Sequence, residues 1–157
     1  MARHGNTARI GVISDTHGLV RPEALRALRG VDLIVHAGDV GEAEVLDALR
    51  AIARVVAVRG NNDRGRWASG LHETETFWVA GVRLHVIHDV KELGRVPAGV
   101  GAVIAGHSHR PTILRRDGVL FLNPGSAGPR RFTLPVSVAT LSLRDGKARA
   151  RIVTLTL

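Results

Sequence analysis

The sequence predicts an α/β fold in which two β-sheets pack against each other and helices lie outside them. The first half of the chain alternates β-branched strands with amphipathic helices, a pattern typical of parallel strands. The second half carries strand pairs around short turns that contain glycine, a pattern typical of antiparallel hairpins. Together these observations predict layered sheets, with an open doubly wound sheet as the alternative.

The first half is predicted to fold as strand, helix, strand, helix, strand. Pro22 suits the first turn of a helix, and the apolar residues Ala24, Leu25 and Leu28 recur at helical spacing. The three strands are short and rich in β-branched residues. In chain order the predicted elements are Arg9–Ser14, Pro22–Leu28, Val31–Ala37, Ala43–Ile52 and Val55–Val58.

The second half is predicted to contain three hairpins and one buried strand. The turn of the first hairpin is Ala80-Gly81, and the other two turns contain Asp117-Gly118 and Asp145-Gly146. The buried strand is Gly101–Ala105. The paired strands are Thr74–Val79 with Val82–His88, Ile113–Arg115 with Val119–Leu122, and Val136–Leu143 with Ala148–Leu157.

Length and composition exclude several classes of protein. A chain of 157 residues removes roughly 70% of its unfolded surface from water, so we expect one domain, 1–157. The absence of cysteine excludes a disulfide framework, a thiolate zinc site and a cysteine nucleophile, and it predicts a reducing, cytoplasmic environment. No apolar stretch has the length of a signal peptide or of a membrane span, so no membrane is expected.

The chain is basic, with 22 lysines and arginines against 14 acidic residues and a net charge of +8. Such a charge invites a nucleic-acid interpretation, because phosphate contacts dominate that affinity. The arginines are scattered, however, and do not alternate with aromatic residues. We therefore interpret the excess as a solvated face that attracts anionic substrates, and nucleic acid is not the favoured partner.

Residues able to bind a metal lie at the ends of five predicted strands. The carboxyl ends of strands in α/β sheets meet in one crevice, where ligands bind. Each motif alone is also common in ordinary turns. Taken together, seven oxygen and imidazole ligands are too many for one four-coordinate ion and predict two ions that share a carboxylate. The candidate ligands are Asp15, His17, Asp39, Asn61, His88, His107 and His109.

These motifs resemble those of the calcineurin-like metallophosphoesterases. Their ordered blocks correspond here to Asp15-Thr16-His17, Gly38-Asp39, Gly60-Asn61, His88 and Gly106-His107-Ser108-His109. Within that family the chain is most similar to the small prokaryotic phosphodiesterases, whose signatures resemble Ser14–Gly18 and Asn123–Ser126. The resemblance implies a four-layer αββα arrangement, a two-sheet sandwich flanked by helices.

The resemblance also implies how the ligands divide between two divalent ions. Asp39 bridges both ions. Carboxylate, amide and imidazole donors suit manganese, our first choice, and also nickel, iron or zinc. One ion takes Asp15, His17 and His109, and the other takes Asn61, His88 and His107.

The implied reaction is hydrolysis of a phosphate ester by a hydroxide that bridges the ions and attacks phosphorus in line. The catalytic candidates are Asp39, Asn61, Asn62 and Asp63. Larger family members have a histidine where this chain has Asn62, and an amide supplies no proton at neutral pH. We therefore expect esters with good leaving groups to react much faster than alkyl esters. Asp63 is predicted either to orient a metal-bound imidazole or to cap the next turn.

Candidate substrate contacts rest on weaker patterns. The segment Asn123–Arg131 is rich in turn formers, and Arg131 or Arg110 is predicted to contact the phosphate beside Asn62. His36 lies within a buried strand and is expected to be a hydrogen-bonded core residue rather than a ligand.

The favoured function is therefore metal-dependent hydrolysis of a small-molecule phosphodiester. A non-catalytic scaffold is the alternative from another class, since the retromer's small subunit resembles this branch. A nuclease is a third interpretation, which draws on the basic charge. Relatives of this branch form dimers or tetramers, and the alternating terminal strands offer an edge for pairing, so we expect a homodimer or homotetramer.

Overall fold

The computed structural model describes residues 6–131 and 133–157 and contains two five-stranded β-sheets. A 3₁₀ helix, Val90–Glu92, and three α-helices connect the strands. The α-helices are α1 (Pro22–Ala27), α2 (Ala43–Arg50) and α3 (Arg66–Ser69). The strands are β1 (Thr7–Ile13), β2 (Leu33–His36), β3 (Arg54–Ala57), β4 (Thr74–Val79), β5 (Val82–Ile87), β6 (Val100–Ile104), β7 (Thr112–Arg116), β8 (Val119–Asn123), β9 (Ser137–Arg144) and β10 (Lys147–Thr154).

The first sheet has the strand order β10-β9-β1-β2-β3. β1 and β2 pair in parallel, as do β2 and β3, so the strand-helix-strand units predicted from the first half are confirmed. β9 returns from the end of the chain to pair antiparallel with β1, and β10 pairs antiparallel with β9. The carboxyl ends of β1, β2 and β3 therefore lie side by side at one edge.

The second sheet has the order β4-β5-β6-β8-β7 and is mixed. The predicted hairpins β4–β5 and β7–β8 are present as antiparallel pairs. β6 pairs in parallel with both β5 and β8, which the hairpin pattern did not predict. The connections between these strands run about a dozen residues, the length a parallel crossover needs. This pairing brings the ends of β5 and β6 to the same edge as the end of β1.

The main core lies between the two sheets, which confirms the sandwich and not the doubly wound alternative. Inward side chains from both sheets, including Ile10, Val35, Leu84, Ile104 and Leu141, form one buried cluster. A fold with two packed sheets buries one face of each sheet in this way and leaves the other face to helices or loops.

The two outer faces are covered unequally. Apolar residues of α1 and α2, such as Ala24 and Leu49, pack on the first sheet with Ile34, and Trp67 of α3 joins them. The second sheet's outer face has a smaller cluster around Val103, covered in the described residues by the segment that includes and follows the 3₁₀ helix. The fourth layer is thus far thinner than the first. None of the described helices has the length and apolar character needed to cross a membrane.

Candidate metal centre

The loops after β1 and β2 extend the parallel pairing beyond the strands. Backbone amides of Asp15, His17 and Gly18 donate to the carbonyls of Gly38, Asp39 and Val40, with N···O distances of 3.0, 3.0 and 2.8 Å. Continuous pairing fixes the register of the two loops relative to each other. Asp15 and Asp39 are therefore held side by side, and each carboxylate is almost fully buried.

Five of the seven predicted ligands have a left-handed backbone. This region is uncommon for residues other than glycine. The conformation turns each loop sharply at the point where its side chain is presented. The φ angles are 54° for Asp15, 47° for His17, 55° for Asp39, 71° for His107 and 63° for His109.

Two glycines of the predicted motifs permit close approach between the loops. A Cβ atom on Gly60 would collide with the backbone nitrogen and carboxylate of Asp39. A Cβ atom on Gly106 would collide with the side chains of Ser14 and Asp15. The glycines of the Gly-Asn and Gly-His motifs are thus required because neighbouring loops leave no room for a side chain.

The Asp15 carboxylate lies at the centre of three imidazoles. Its Oδ2 accepts hydrogen bonds from Ser14 Oγ at 2.7 Å and from the His107 amide at 3.0 Å. Its Oδ1 is 3.3 Å from His109 Nε2 and 3.9 Å from Nε2 of both His17 and His88. One oxygen therefore fixes the carboxylate, and the other faces the candidate ligands.

Asp39 lies between imidazoles that the sequence assigns to different ions. Its Oδ2 is 3.3 Å from His88 Nε2 and 3.8 Å from His17 Nε2. Asn62 contacts both carboxylate oxygens, with its amide at 2.9 Å from Oδ1 and its Nδ2 at 3.1 Å from Oδ2. This position suits a carboxylate that contacts two ions at once.

The four candidate histidines form two pairs of rings. The ring centroids of His17 and His109 are 5.5 Å apart, and those of His88 and His107 are 5.2 Å apart. His88 donates from Nδ1 to the carbonyl of Ala37 at 2.7 Å, so the nitrogen whose lone pair a metal ion would take, in exchange for a proton, is Nε2, which faces Asp39. The pairs match the division of ligands between two ions that the resemblance implies.

Several buried polar atoms at this edge have no hydrogen-bond partner in the described residues. Unpartnered buried polar atoms are rare, because each loses its hydration without compensation. Two groups of side chains have ligand atoms within 4.8 Å of one another: Asp15, His17 and His109, and Asp15, Asp39 and His88. A divalent cation would satisfy these atoms, so the donor set fits metal ions. The unpartnered atoms are Asp15 Oδ1, His17 Nε2, His88 Nε2 and His109 Nδ1.

The charges at the centre stabilise one another. Burial raises the pKa of Asp15, but the nearby His109 imidazole and the hydrogen bond from Ser14 outweigh burial and hold that pKa below the usual value. Burial likewise raises the pKa of Asp39, and its contact with His88 lowers it far more. Burial lowers the pKa of His88, yet the nearby Asp39 carboxylate and the charge of Asp15 raise it to about 9. Both carboxylates are therefore ionised and available to a cation.

Asn61 and His107 lie at the open side of the centre. Both line a cavity of about 710 Å³ together with His88. The His107 side chain is 44% exposed, and its Nε2 is 3.7 Å from Asp89 Oδ2. The structure therefore brings these two candidate ligands to the site but holds them less tightly than the five others.

Asp63 contacts backbone, and its described contacts include no imidazole. Its carboxylate accepts hydrogen bonds from the amides of Val40, Gly41 and Gly60 at 3.2, 2.9 and 2.8 Å. It ties the loop after β2 to the loop after β3. Through this link Asp63 fixes the separation of the loops that carry Asp39 and Asn61.

The two arginines predicted to bind phosphate, Arg110 and Arg131, have exposed side chains. Neither lines the cavity beside His88. Two other arginines, Arg59 and Arg64, line that cavity, and Arg59 forms an ion pair with Glu73 at 3.2 Å. Sequence reasoning missed both, although Arg59 directly precedes the Gly-Asn motif and Arg64 follows Asp63.

The segment after β8 holds the metal-binding loops together. Asn123 Nδ2 donates to the carbonyl of Gly106 at 2.9 Å and to Ser108 Oγ at 3.1 Å. Ser126 Oγ donates to the carbonyl of Asp15 at 2.9 Å and accepts from the Gly128 amide at 3.2 Å. The sequence suggested a substrate role for this segment, whereas these contacts position the loops after β1 and β6.

His36 lies behind the centre as a buried, hydrogen-bonded residue. Its Nδ1 accepts from the Gly38 amide at 3.1 Å, and its Nε2 lies 3.0 Å from Thr16 Oγ1. Thr16 in turn donates to the carbonyl of Val40 at 2.8 Å. Burial lowers the pKa of His36 to about 4, so the ring is neutral and supports the loops without binding a metal.

Comparison with known proteins agrees with the fold. The calcineurin-like phosphoesterase superfamily domain matches residues 9–146. A probable metallophosphoesterase of Methanocaldococcus jannaschii is 37% identical over 167 residues, which cover 96% of this chain and 83% of that protein.

Solved structures show the same fold at lower sequence identity. An archaeal phosphodiesterase superimposes with a TM-score of 0.76 at 23% identity, covering 92% of this chain and 99% of that one. Vps29 of Entamoeba histolytica in complex with zinc gives a TM-score of 0.69 at 24% identity, covering 94% and 99%. The chain belongs to the calcineurin-like phosphoesterase superfamily.

Proposed function

We propose that this member of the superfamily is a phosphodiesterase that uses two divalent metal ions bound at the carboxyl edge of the sheets. The observation that carries the proposal is the convergence of His17, His88 and His109 on the Asp15 carboxylate, with the Asp39 carboxylate next to His17 and His88 and with buried atoms of all three histidines and of Asp15 unpartnered among the described residues. Family membership supports metal-dependent hydrolysis of phosphate esters in general. The preference for diesters and the number of ions are our own inference.

The residues divide between two ions as the sequence motifs imply. One ion would be held by Asp15, His17 and His109, whose ligand atoms already form one group. The other would be held by His88, His107 and Asn61, with Asp39 shared. When bound, the ions would lower the pKa of a shared water and neutralise charge on the phosphoryl oxygens. Manganese is our first choice, with nickel, iron and zinc as alternatives.

Asn62 is expected to limit which esters react, because it cannot protonate the leaving group. Its two hydrogen bonds to Asp39 hold the shared carboxylate in place. Its amide N–H groups can donate hydrogen bonds but are not acidic enough to transfer a proton to a departing alkoxide at neutral pH. Esters whose leaving group is already stable as an anion should therefore react fastest, and aryl phosphodiesters meet that requirement.

A non-catalytic scaffold remains the second candidate function, because the fold is also that of Vps29. We favour hydrolysis because the family is one of phosphoesterases. Vps29 of Entamoeba histolytica is also found in complex with zinc, so turnover, and not metal binding alone, distinguishes the two roles. We further propose that the protein acts on a small molecule in the cytoplasm, as a homodimer or homotetramer. A nuclease is less favoured, because the cavity beside His88 carries Glu73, Asp89 and Glu92 as well as arginines.

The proposal is tested by hydrolysis assays on metal-stripped protein with manganese, nickel, zinc or magnesium added back. The substrates are bis(p-nitrophenyl) phosphate and p-nitrophenyl phosphate. We expect a metal-restored activity that favours the diester and is lost in Asp39→Asn. Asp117→Asn is the matched control, because Asp117 has a similar backbone conformation, with a φ of 52° against 55°, in a hairpin turn.

Each other outcome overturns a defined part of the proposal. A preference for the monoester would refute the diester specificity. Tight metal binding without turnover of either substrate would make the scaffold the better interpretation. Full activity in Asp39→Asn would refute the shared carboxylate.

A further inference from the structure

A second cavity lies on the outer face of the second sheet, where the helix layer is thin. It has a volume of about 620 Å³, within the usual range for ligand pockets. Side chains that point outward from β6, β7 and β8 form it, including Val103, Leu114 and Phe121, and Val90 of the 3₁₀ helix adds an apolar wall. We call this cavity the apolar groove.

The apolar groove begins at the candidate metal centre. Two residues, Asp89 and His107, line both the apolar groove and the cavity beside His88. Their side chains approach to 3.7 Å, so the pair stands where the two cavities meet. If the phosphate of a ligand lay beside His107, the apolar groove would lie on one side of the phosphate and the cavity beside His88 on the other.

The two cavities differ in chemistry. The cavity beside His88 is lined by charged and polar residues, among them Arg59, Arg64 and Glu73. The apolar groove has an aliphatic and aromatic floor, with Lys91 and Arg116 among its lining residues. An apolar floor with nearby cations suits an anion that carries an apolar group.

We propose that the apolar groove binds an apolar, aromatic ester group of the substrate while the cavity beside His88 takes the second, polar ester group. The inference rests on the proposed function, because a phosphodiester carries two ester groups on one phosphorus and therefore fits two cavities that meet at one point. It defines the substrate class as an unsymmetrical phosphodiester with one apolar and one polar group.

β7 supplies a matched pair of variants. Leu114 and Ile113 are neighbours on this edge strand with exposed fractions of 44% and 45%. Successive side chains of a strand point to opposite faces, and only Leu114 lines the apolar groove. Leu114→Gln and Ile113→Gln thus remove similar amounts of exposed apolar surface, but only Leu114→Gln changes the lining of the apolar groove.

The first measurement is competitive inhibition of bis(p-nitrophenyl) phosphate hydrolysis by 2-naphthyl phosphate and by methyl phosphate. These compounds share the phosphate and differ in the apolar group. We expect 2-naphthyl phosphate to bind about tenfold more tightly in the unmodified protein and in Ile113→Gln. In Leu114→Gln the difference should shrink to about twofold, with the inhibition by methyl phosphate unchanged.

The second measurement does not depend on turnover. In the zinc-loaded protein labelled with ¹⁵N, 2-naphthyl phosphate should shift the amide resonances of Ala105, Leu114 and Phe121, and methyl phosphate should not. These shifts without hydrolysis of any diester would support the apolar groove and refute the proposed function. Hydrolysis with equal inhibition by both compounds, or with no shift at these amides, would overturn the inference and leave the proposed function standing.

Discussion

Among the described residues other than glycine, left-handed backbone occurs in two settings, the hairpin turns and the candidate metal centre, and it serves a different purpose in each. Of the described residues other than glycine, eight have positive φ angles. Three of them, Ala80, Asp117 and Asp145, are the first residues of hairpin turns and precede a glycine that also has positive φ. The remaining five are candidate metal ligands, namely Asp15, His17, Asp39, His107 and His109.

In the hairpins, positive φ angles allow the chain to reverse its direction within two residues. A two-residue turn with positive φ at both positions matches the right-handed twist of the paired strands. The turns Ala80-Gly81, Asp117-Gly118 and Asp145-Gly146 therefore stabilise pairing in the metal-free chain.

At the metal centre the residues with positive φ do not belong to two-residue hairpin turns. The loops after β1 and β2 continue in parallel, yet they turn at Asp15 and Asp39 so that both carboxylates are buried next to imidazoles. Backbone strain of this kind persists only where surrounding structure enforces it, and it clusters at functional sites. The same backbone conformation therefore has two roles. In the hairpin turns it stabilises the fold, and at the metal centre the surrounding structure maintains it so that a ligand can bind.

The largest expected effect comes from exchanging an aspartate for asparagine in each region. Asp15→Asn removes a charge that faces three imidazoles, and we expect metal-dependent diester hydrolysis to fall by roughly 10³-fold or more. Asp145→Asn has a similar φ, 51° against 54°, and should retain activity. The measurement is kcat/KM at saturating metal. Equal losses of kcat/KM in Asp15→Asn and Asp145→Asn would contradict the different roles assigned to the two regions.

The next effect concerns the support behind the metal centre and its dependence on pH. His36 is neutral when folded because burial lowers its pKa from 6.5 to about 4. Between these values the unfolded chain binds a proton that the folded protein does not, so stability falls as the pH falls from 6.5 to 4. The full loss is about 3 kcal/mol and is absent above pH 6.5.

Urea unfolding of the metal-stripped protein from pH 7 to 4.5 tests this effect. His36→Gln removes the titrating group, so the free energy of unfolding should depend less steeply on pH than in the unmodified protein. His72→Gln is the control, because His72 is exposed. Parallel pH profiles for the unmodified protein and His36→Gln would show that His36 takes up its proton equally in both states.

A smaller effect is expected from the segment that holds the metal-binding loops together. Ser126→Ala leaves the carbonyl of Asp15 and the amide of Gly128 without their buried partner, which should cost about 1–3 kcal/mol of unfolding free energy. It should also weaken metal binding, measured by calorimetry. Ser69→Ala removes an exposed hydroxyl that bonds within α3 and should change stability by less than about 0.5 kcal/mol. Unchanged metal affinity in Ser126→Ala would argue that this segment does not position the ligands.

The smallest effect lies in the hairpins. Ala80→Asn creates the Asn-Gly turn that this conformation favours, and it should stabilise the protein by about 0.5–1 kcal/mol without changing activity. Thermal unfolding and the diester assay measure the two quantities. Destabilisation by asparagine would contradict the interpretation of Ala80-Gly81 as a turn of this type.

The sequence was sufficient to predict features that depend on local pattern. Strands and the two longer helices follow from periodicity, and the predicted ligands follow strand ends because topology brings those ends to one edge. Five of those ligands, with Asp15 and Asp39 at their centre, come together closely in the structure.

Features that depend on distant partners were not predictable in the same way. The parallel pairing of β6 depends on the register of strands far apart in the chain. The hydrogen bonds of Asn123 and Ser126 to residues 15 and 111 positions away in the chain follow from that pairing. Arg59 and Arg64 line the cavity beside His88, whereas the sequence drew attention to Arg110 and Arg131, because cavities form between segments that sequence motifs treat separately.

The central claim is that the strained edge holds two metal ions that share Asp39. Anomalous X-ray diffraction from crystals of the manganese-loaded protein tests it most directly. The account predicts two peaks about 3.5–4 Å apart, one beside His17 and His109 and the other beside His88 and His107, with the Asp39 carboxylate between them. A single peak at this edge, or two peaks with Asp39 in contact with only one of them, would contradict it.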